Sequence, residues 1–551
     1  MSSMYSYPIN RGIPSWFTTL QHHKQVLSGI FRSNILDRVN VLGDNRELGH
    51  TGCVNALHWA QNGELLLSAG DDRTVQVWRM DSITAQEFPA TCNDYPFVCR
   101  TIINTGHRAN IFNAHMLPYS SRIVTVAGDN QVRVFDVGHD HGSMSFRRDR
   151  RKEYHTEHAQ THTFRCHTDR VKRIVTENSP DLFLTVSEDG TVRQHDLRTP
   201  HSCRSGSCSP PILNVEHELS TLALSPLTPY QLVVAGSSPY GYLFDRRYTG
   251  RILQEEWGLR PNGVTTCVRR FGRPEGSRRQ VMHREHITGA RMASENGHEV
   301  LLSYSGDAIY LYSTLDDPEP PRPSTSMLKA KSKRRKISPF SAGQDEDSSR
   351  GSDVESELEM DDDGSKAGSD SPSLETEEDH EVEDDEDDDE EDDNAFNPWV
   401  PVIMPQKRYA GTRNTDTVKD VNFLGPQDEY VTSGSDDGNF FIWRKSSGDL
   451  HGIYEGDGSV VNVIEPHPKL PLVAVSGIDH TVKLFAPTRG ESRFSRMQDA
   501  ENIIKNNQQQ NTRAFRTIPR VDFIHLLMSI QAASRGEGSD DDSSVNECIN
   551  Q

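Results

Sequence analysis

The fold is decided by Ser68-Ala-Gly-Asp-Asp-Arg-Thr-Val-Gln-Val-Trp78, a stretch that returns along the chain in recognisable copies. Each copy joins small residues, an Asp turn and alternating apolar residues to a ring, with one Asp six residues before that ring. Further full copies end at Phe135, His195, Trp443 and Phe485. Two weaker copies, 235–244 and 303–312, keep the strand pattern but lack the Asp. A unit that recurs in this way predicts a repeat architecture.

Each copy has the pattern of a strand, a tight turn and a second strand. Val75 and Val77 alternate with polar residues at the period of a half-buried strand. Asp-containing dipeptides supply the turn. Seven copies predict seven four-stranded blades around a central channel. Residues 38–42 alternate in the same way, so we expect this N-terminal strand to complete the seventh blade and remove an exposed sheet edge.

A His precedes several copies by about twenty residues, at His50, His107 and His167. This arrangement resembles the WD repeat, in which a His, an Asp, a Ser or Thr and a Trp form a buried chain of hydrogen bonds. By that resemblance the first blade has the full set, which is His50, Ser68, Asp72 and Trp78. Because buried polar groups need partners, we expect these residues to be structural rather than catalytic.

The predicted fold class is therefore all-β, a seven-bladed WD-repeat β-propeller with a helical N-terminal segment and a long disordered acidic insert between blades five and six. The expected segments are a helical segment at 1–36, the closing strand and blades one to five at 37–313, the insert at 314–398, blades six and seven at 399–488, and a C-terminal helix with an acidic tail at 489–551.

The net charge of −22 over 551 residues is concentrated in the insert. Residues 342–395 contain 27 Asp and Glu against Arg350 and Lys366, which gives −25. Residues 314–341 contain three acidic and seven basic residues, a net +4. The insert therefore accounts for −21 and leaves about −1 for the remainder, so direct nucleic-acid binding is not expected.

The insert is expected to be disordered because a segment rich in Asp, Glu, Ser and Pro cannot bury enough apolar area to offset its ordering entropy. It either provides solubility and spacing, or docks basic proteins such as histones, or is phosphorylated at serines that lie among acids. Its basic cluster contains Lys333, Arg334, Arg335 and Lys336. This cluster resembles a nuclear import signal, which predicts a nuclear protein with a cytoplasmic pool; a solvated charge run is the alternative.

Several chemical functions have no support in the sequence. Cys203 and Cys208 lie five apart without a Cys-x-x-Cys pair, so no structural zinc site is expected. His155, His158 and His162 invite a metal interpretation, but we expect them in a loop. The sequence lacks a Gly-x-Ser-x-Gly elbow, a phosphate loop and a His-Glu-x-x-His motif, so we expect no enzyme and no cofactor. It shows no signal peptide or long apolar run, which predicts a soluble intracellular protein without membrane contact.

Two consecutive blades end in the same short motif. Blade three gives His195-Asp196-Leu197-Arg198 and blade four gives Phe244-Asp245-Arg246-Arg247. This motif resembles the box of WD-repeat substrate receptors that dock on the propeller adaptor of the cullin-4 RING ubiquitin ligase. The resemblance implies that Asp196, Arg198, Asp245 and Arg247 contact that adaptor. Arg suits such a role because its fork makes planar bidentate bonds. The alternative is a local ion pair that closes the strand end.

Longer phrases extend the resemblance over roughly residues 15–488. They include Gly106-His-Arg-Ala-Asn-Ile-Phe112, Leu302-Ser-Tyr-Ser-Gly-Asp307 and Asn462-Val-Ile-Glu-Pro-His-Pro468. The chain is similar to cullin-4-associated factors, most of all to the nuclear receptor interaction protein branch. The resemblance implies a substrate receptor that recruits proteins for ubiquitination. The alternative is a nuclear scaffold or chromatin-binding coregulator independent of the ligase.

The two ends of the chain are expected to be helical. Apolar residues recur at helical spacing near the N-terminus, at Trp16, Phe17, Leu20 and Leu27. The family resemblance implies that this helix inserts into the adaptor, whereas a helix packed on its own propeller is the alternative. Residues 521–528 form another apolar stretch that runs into a partial IQ motif at Ile530. We expect a helix that caps the propeller rather than a calmodulin site, because Asp540 stands where the closing basic residue belongs.

Overall fold

The computed structural model describes residues 15–44, 49–80, 95–138, 151–203, 208–247, 267–274, 286–318 and 400–514. Thirty strands form seven sheets, one for each predicted blade. The predicted seven-bladed β-propeller is therefore confirmed. The insert lies between blades five and six. Residues 319–399 lie outside the described part of the chain. The predictions of disorder and of a basic import signal both concern these residues.

Blades one to six are each a four-stranded meander that starts at the central channel and ends at the rim. Blade seven takes its outer strand from the N-terminal end of the propeller. In chain order, the meander strands of blades one to three are β2 (Val54–Ala60), β3 (Leu65–Gly70), β4 (Thr74–Met80), β5 (Phe97–Asn104); β6 (Ile111–Met116), β7 (Arg122–Ala127), β8 (Val132–Asp136), β10 (Gln160–Phe164); and β11 (Val171–Thr176), β12 (Leu182–Ser187), β13 (Thr191–Asp196), β14 (Leu213–Asn214).

Blades four to seven continue the pattern: β15 (Leu219–Leu224), β16 (Gln231–Gly236), β17 (Gly241–Asp245), β18 (Cys267–Phe271); β19 (Ile287–Met292), β20 (Glu299–Tyr304), β21 (Ile309–Ser313), β23 (Lys407–Tyr409); β24 (Val421–Leu424), β25 (Tyr430–Gly434), β26 (Asn439–Arg444), β27 (Leu450–Glu455); and β28 (Val461–Pro466), β29 (Val473–Gly477), β30 (Val482–Thr488), with β1 (Ile35–Leu42). All of these neighbours pair antiparallel, and the middle strands are buried on both faces because each sheet packs against the sheets on either side.

The ring is closed by the N-terminal strand, as the sequence predicts. β1 pairs antiparallel with β30, from Ile35 opposite Thr488 to Leu42 opposite Val482. Blades one and seven then share one apolar cluster, which includes Trp59, Leu66 and Trp78 with Val463, Leu472 and Leu484. Closure therefore joins the two ends of the repeat array through a buried core and leaves no open sheet edge at this seam.

Two rim strands were not foreseen. β9 (Lys152–His155) pairs parallel with β5, and β22 (Val402–Ile403) pairs parallel with β18. A single turn of helix, α2 (Thr156–Ala159), joins β9 to β10. The expectation that residues 155–162 form a loop is therefore wrong, because ladder bonds to blades one and two order this segment.

The buried hydrogen-bond chain of the first blade is confirmed. His50 Nδ1 lies 2.8 Å from Asp72 Oδ2, and His50 Nε2 lies 2.8 Å from Ser68 Oγ, which accepts from Trp78 Nε1 at 2.8 Å. The chain cross-links the entry to the first strand, the turn between the second and third strands, and the third strand itself. It therefore fixes the backbone at three points while leaving its own polar groups satisfied.

Blades two and three vary this chain. His107 contacts Asp129 at 2.9 Å and Thr125 at 2.8 Å, but Phe135 carries no donor. In blade three the set of contacts is complete again, since His167 meets Asp189 and Thr185, and Thr185 Oγ1 lies 2.9 Å from His195 Nε2. His195 thus replaces the usual Trp as a hydrogen-bonding ring.

Blade six carries a charged pair close to its Asp turn, one residue before the repeat Asp437. Lys419 precedes β24, Asp436 lies in the turn between β25 and β26, and their side chains form a fully buried ion pair. Asp436 Oδ2 also accepts from the backbone N–H of Thr415 at 2.7 Å and of Asp416 at 3.0 Å. Burial alone would raise the pKa of Asp436, but the Lys419 ammonium and these N–H groups hold it below its ordinary value.

Two longer helices flank the propeller. α1 (Ser15–Ser33) precedes β1, as the sequence predicts, and α3 (Ala500–Ala514) follows the last blade. Asn507 of α3 donates to Gly411 O at 2.9 Å and to Asp437 Oδ2 at 2.7 Å, which holds the helix against blade six. Residues 521–528 and the partial IQ motif lie outside the described part of the chain. No helix among the described residues is long and apolar enough to cross a membrane.

Candidate protein-interaction face

Both Asp-x-Arg motifs lie on one face of the propeller. Asp196 ends β13 opposite Leu182, where β12 begins, and Asp245 ends β17 opposite Gln231, where β16 begins. In every blade this edge carries the link between the first and second strands. The same edge therefore forms one continuous face of the ring, which we call the first-link face, and both motifs belong to it.

In blade three the motif forms a forked ion pair at the surface. Arg198 donates from Nε to Asp196 Oδ1 at 2.9 Å and from Nη2 to Asp196 Oδ2 at 2.8 Å, and its backbone N–H also donates to Oδ1. These hydrogen bonds from Arg198 lower the pKa of Asp196, and Asp196 raises the pKa of Arg198. The Arg198 side chain remains 63% exposed, so its orientation is set while most of its surface meets solvent.

Blade four repeats this geometry with a more buried carboxylate. Arg247 donates from Nε to Asp245 Oδ1 at 2.9 Å and from Nη2 to Oδ2 at 2.5 Å, and these bonds lower the pKa of Asp245. The Arg247 guanidinium also stacks 3.9 Å from the ring centre of Tyr230. The side chain of Arg247 is 59% exposed and that of Asp245 is 9% exposed. A buried acid thus holds an exposed cation at a defined angle.

The seam between blades three and four is cross-linked next to both motifs. Arg246 donates from Nη2 to Glu177 Oε1 of blade three at 3.0 Å and to Gln194 Oε1 at 2.6 Å. Its backbone N–H donates to Tyr230 O at 2.7 Å. These bonds fix the spacing of the two Asp-x-Arg motifs, so the two exposed arginines form one rigid patch on neighbouring blades.

Helix α1 lies on the same face, on the side of blades five to seven. Leu27 and Phe31 are buried and line a cavity of about 310 Å³ with residues of the first links, among them Ser294, Gly425 and Pro468. Lys24 Nζ pairs with Glu295 at 2.5 Å. The structure therefore supports packing of this half of α1 on its own propeller. The backbone of Trp16, Phe17 and Leu20 is helical, and their side chains lie outside the described part of the structure.

The cavity beneath α1 has a polar floor at the central channel. Arg291 Nη2 lies 2.9 Å from Glu465 Oε1, and Asn422 Nδ2 donates to Glu465 Oε2 at 2.7 Å. Glu465 raises the pKa of Arg291, whereas burial raises the pKa of Glu465 despite Arg291. Burial also lowers the pKa of His58, which lines the same cavity, to about 4. Arg291, Glu465 and Asn422 therefore satisfy one another in this floor.

The structure also groups side chains that sequence spacing left apart. Cys203 and Cys208 converge with Cys166 and His201, with all four ligand atoms within 4.8 Å of one another. No other His, Cys, Asp or Glu group of this kind occurs among the residues that the structure describes, and His155, His158 and His162 form none. Cys166 and His201 were missed because 35 residues separate them in sequence. The basic residues Lys333, Arg334, Arg335 and Lys336 lie outside the described residues.

Comparison with known proteins agrees with the fold. A family model described as "WD domain, G-beta repeat" matches residues 44–79 and 158–196. The chain is 35% identical to WD repeat protein iqw1 of Schizosaccharomyces pombe over 49% of this chain and 32% of that protein. It is 32% identical to human DDB1- and CUL4-associated factor 6 over 49% of this chain and 27% of that protein.

A third relative aligns along nearly its full length. The chain is 24% identical to mouse WD and tetratricopeptide repeats protein 1 over 91% of this chain and 93% of that protein. By contrast, the chain spans 27–36% of the length of the relatives that are 32–35% identical. Seven blades, buried His–Asp chains and the matched repeats together show a WD-repeat β-propeller fold, which supports a role in protein–protein interaction.

Proposed function

We propose that this protein is a substrate receptor of a cullin-4 RING ubiquitin ligase and docks on the ligase adaptor through its first-link face. The observation that carries the proposal is the pair of forked Asp–Arg contacts on adjacent blades, Asp196–Arg198 and Asp245–Arg247. The likeness to DDB1- and CUL4-associated factor 6, whose name couples it to the adaptor DDB1 and to cullin-4, supports this choice.

The arginines suit docking because each is ordered before a partner arrives. Residues held in one rotamer lose less conformational entropy on binding than flexible surface chains do. Arg is also enriched among the residues that dominate binding energy at interfaces. In the proposed complex the outward edges of Arg198 and Arg247 meet acceptors on the adaptor, and the carboxylates of Asp196 and Asp245 keep the guanidinium planes in place.

The receptor itself forms and breaks no covalent bond in this proposal. One face of the propeller holds the adaptor, and another surface holds a target protein beside the ligase. Transfer of ubiquitin is then favoured by proximity, since a bound target reacts at a high effective concentration.

The test is capture of purified DDB1 by the full chain carrying both Arg198→Glu and Arg247→Glu. We expect affinity for DDB1 to fall at least about 100-fold, because two hot-spot contacts of roughly 2 kcal/mol each turn repulsive. The matched control carries Arg79→Glu and Arg444→Glu. These arginines are exposed at the ends of β4 and β26 on the same face, and they change the net charge equally. Equal capture of DDB1 by both variants would show that the Asp-x-Arg motifs do not contribute to binding.

The alternative is a scaffold or chromatin-binding coregulator that acts apart from the ligase. The net charge of −25 on residues 342–395 favours it, because such a segment attracts basic proteins. Affinity purification of the full chain from cells separates the two functions. Recovery of DDB1 and cullin-4 supports the receptor, and recovery of histones without either of them supports the scaffold.

A further inference from the structure

Four side chains that can bind a metal ion converge at the rim between blades two and three. His201 Nε2 lies 3.2 Å from Cys166 Sγ, 3.0 Å from Cys203 Sγ and 3.7 Å from Cys208 Sγ. Cys166 Sγ and Cys203 Sγ lie 3.6 Å apart. One nitrogen and three sulfurs therefore face a common point.

The spacing fits a tetrahedral ion. Zinc bonds of about 2.3 Å to sulfur and about 2.0 Å to nitrogen give edges of roughly 3.8 Å between sulfurs and roughly 3.6 Å between sulfur and nitrogen. The observed separations lie within about 0.6 Å of these values. A disulfide needs about 2.05 Å between sulfurs, and the three cysteines are free thiols. Three thiolates and one imidazole are a ligand set that selects zinc among common ions.

The groups around the cluster can offset the negative charge that a zinc ion with three thiolates would have. The backbone N–H of Arg165 donates to Cys203 Sγ at 3.2 Å, a contact that stabilises a thiolate. Arg193 donates to Ser209 O at 2.9 Å, which places a cation beside Cys208. Because zinc with three thiolates has a net charge of −1, a neighbouring guanidinium offsets it. The ring of Phe164 lies 5.3 Å from that of His201 and covers one side.

The location of the cluster explains what an ion would do. Cys166 lies in the connection from β10 of blade two to β11 of blade three, and the other three ligands lie between β13 and β14. β14 is the shortest outer strand of the seven blades, and it pairs only through Thr191 with Asn214 and Val192 with Leu213. Of residues 197–212, the described parts 197–203 and 208–212 therefore have few ladder bonds to hold them against the rim.

We propose that Cys166, His201, Cys203 and Cys208 bind one zinc ion in a structural Cys3His site that ties the outer segment of blade three to blade two. The ion replaces the ladder bonds that a longer outer strand would supply. Because the segment includes Arg198, the same ion fixes the exit of the chain from the blade-three Asp-x-Arg motif. The site stands whether or not that motif binds an adaptor.

The first experiment measures zinc by mass spectrometry in the purified full chain after dialysis. We expect about one zinc per chain, and the variant Cys203→Ser/Cys208→Ser should lose it. The matched control is Cys99→Ser, which removes a free thiol buried in blade one and should keep the zinc. A wild-type chain with less than about a tenth of an equivalent overturns the proposal, as does full retention by the double variant.

A second experiment does not depend on the folding of a variant. Cobalt(II) is titrated into the wild-type chain from which zinc has been removed. We expect one equivalent to give the visible absorption of tetrahedral cobalt together with the near-ultraviolet bands of cobalt–thiolate bonds. An octahedral spectrum without thiolate bands overturns the site, and so does mass-spectrometric detection of a disulfide among the three cysteines in the freshly purified protein.

The anchoring role has its own readout. Removal of zinc by a chelator should speed proteolytic cleavage within residues 197–212 and leave cleavage of the other blades unchanged, since local opening governs such cleavage. Unchanged cleavage of that segment in a chain shown to have lost its zinc would refute the anchoring role.

Discussion

Blade one and blade six both link the approach to the first strand with the turn between the second and third strands, but they use different side chains. In blade one, His50 bridges from the entry of the first strand to Asp72 in the turn between the second and third strands. In blade six, Lys419 lies two residues before β24 and pairs with Asp436, one residue before the repeat Asp of this blade, Asp437. The approach to the first strand can therefore be joined to the Asp turn either by an imidazole ring or by a lysine ammonium.

The two cross-links differ in their desolvation penalty and in their dependence on pH. A buried ion pair offsets a large desolvation penalty only while both charges are present. A His–Asp contact involves a smaller penalty but depends on the protonation of the ring. The blades should therefore respond differently to loss of a partner and to acid.

The largest effect is expected from Lys419→Met, which removes the cation and leaves Asp436 charged in a fully buried site. We expect a loss of about 3–5 kcal/mol in the free energy of unfolding, because breaking one partner out of a buried pair leaves an uncompensated charge. Urea denaturation followed by tryptophan fluorescence measures it. The matched control, Lys505→Met on the exposed side of α3, should change the free energy by less than about 0.5 kcal/mol.

The second variant Lys419→Met/Asp436→Asn separates the charge from the packing. The amide oxygen introduced by Asp436→Asn would still accept from the N–H groups of Thr415 and Asp416, which now bind Asp436, so the variant should recover part of the loss. A double variant no more stable than Lys419→Met would show that lost packing, and not the bare carboxylate, causes the effect.

Acid should weaken the early blades before blade six. Burial lowers the pKa of His107 and holds that of His195 well below its ordinary value, and it lowers the pKa of His58 to about 4. Rings that stay neutral in the folded state take up protons on unfolding once the pH falls below about 6.5. Their stabilisation is therefore complete above that pH and declines towards the folded pKa; for His58 the loss at pH 5 is about 2 kcal/mol.

The Lys419–Asp436 pair of blade six loses its contribution to stability only at lower pH. The pKa of Asp436 is lowered, so its contribution is present above the unfolded pKa of about 3.8 and is lost only below it. Hydrogen exchange at pH 7 and pH 5, corrected for intrinsic rates, should therefore show protection falling in β2–β13 and holding at the N–H groups of Thr415 and Asp416, which Asp436 binds; the strands beside His451, whose pKa burial also lowers, should lose protection. His58→Gln should flatten the acid dependence. Equal losses in both regions would contradict the assignment of these groups.

Sequence reasoning succeeded where one pattern sets the structure locally. Alternation around Val75 and Val77 and the Asp turns predicted the strands, and residues 38–42 predicted closure of the ring. The His50 chain was also predictable, because its four members lie within 29 residues and follow a repeat. The Asp-x-Arg motifs lie where they were expected, although their role in binding stays a prediction.

Other features depend on neighbours that only the fold supplies. Lys419 looks like a surface residue in sequence, and nothing local indicates that Asp436 will meet it in a dry interior. Cys166 and His201 belong to different elements that the rim brings together. For α1, apolar spacing predicts a helix but not which surface its apolar side covers. In each case the deciding quantity is burial against a distant segment, which sequence spacing does not encode.

The smallest expected effect is a difference in stability between two variants that carry the same substitution, one in blade three and one in blade two. Thr185 and Thr125 are both fully buried, but Thr185 Oγ1 meets two rings, His167 Nε2 at 2.8 Å and His195 Nε2 at 2.9 Å, whereas Thr125 Oγ1 meets only His107 Nε2 at 2.8 Å. Thr→Val keeps the shape and removes the hydroxyl at either site. Each buried ring nitrogen left unpaired costs about 1–3 kcal/mol, so Thr185→Val should destabilise the chain by at least about 1 kcal/mol more than Thr125→Val. Paired urea titrations at pH 7.5 measure the difference. Equal losses would mean that His195 fills space in blade three as Phe135 does in blade two, and that its nitrogen contributes nothing to the cross-link.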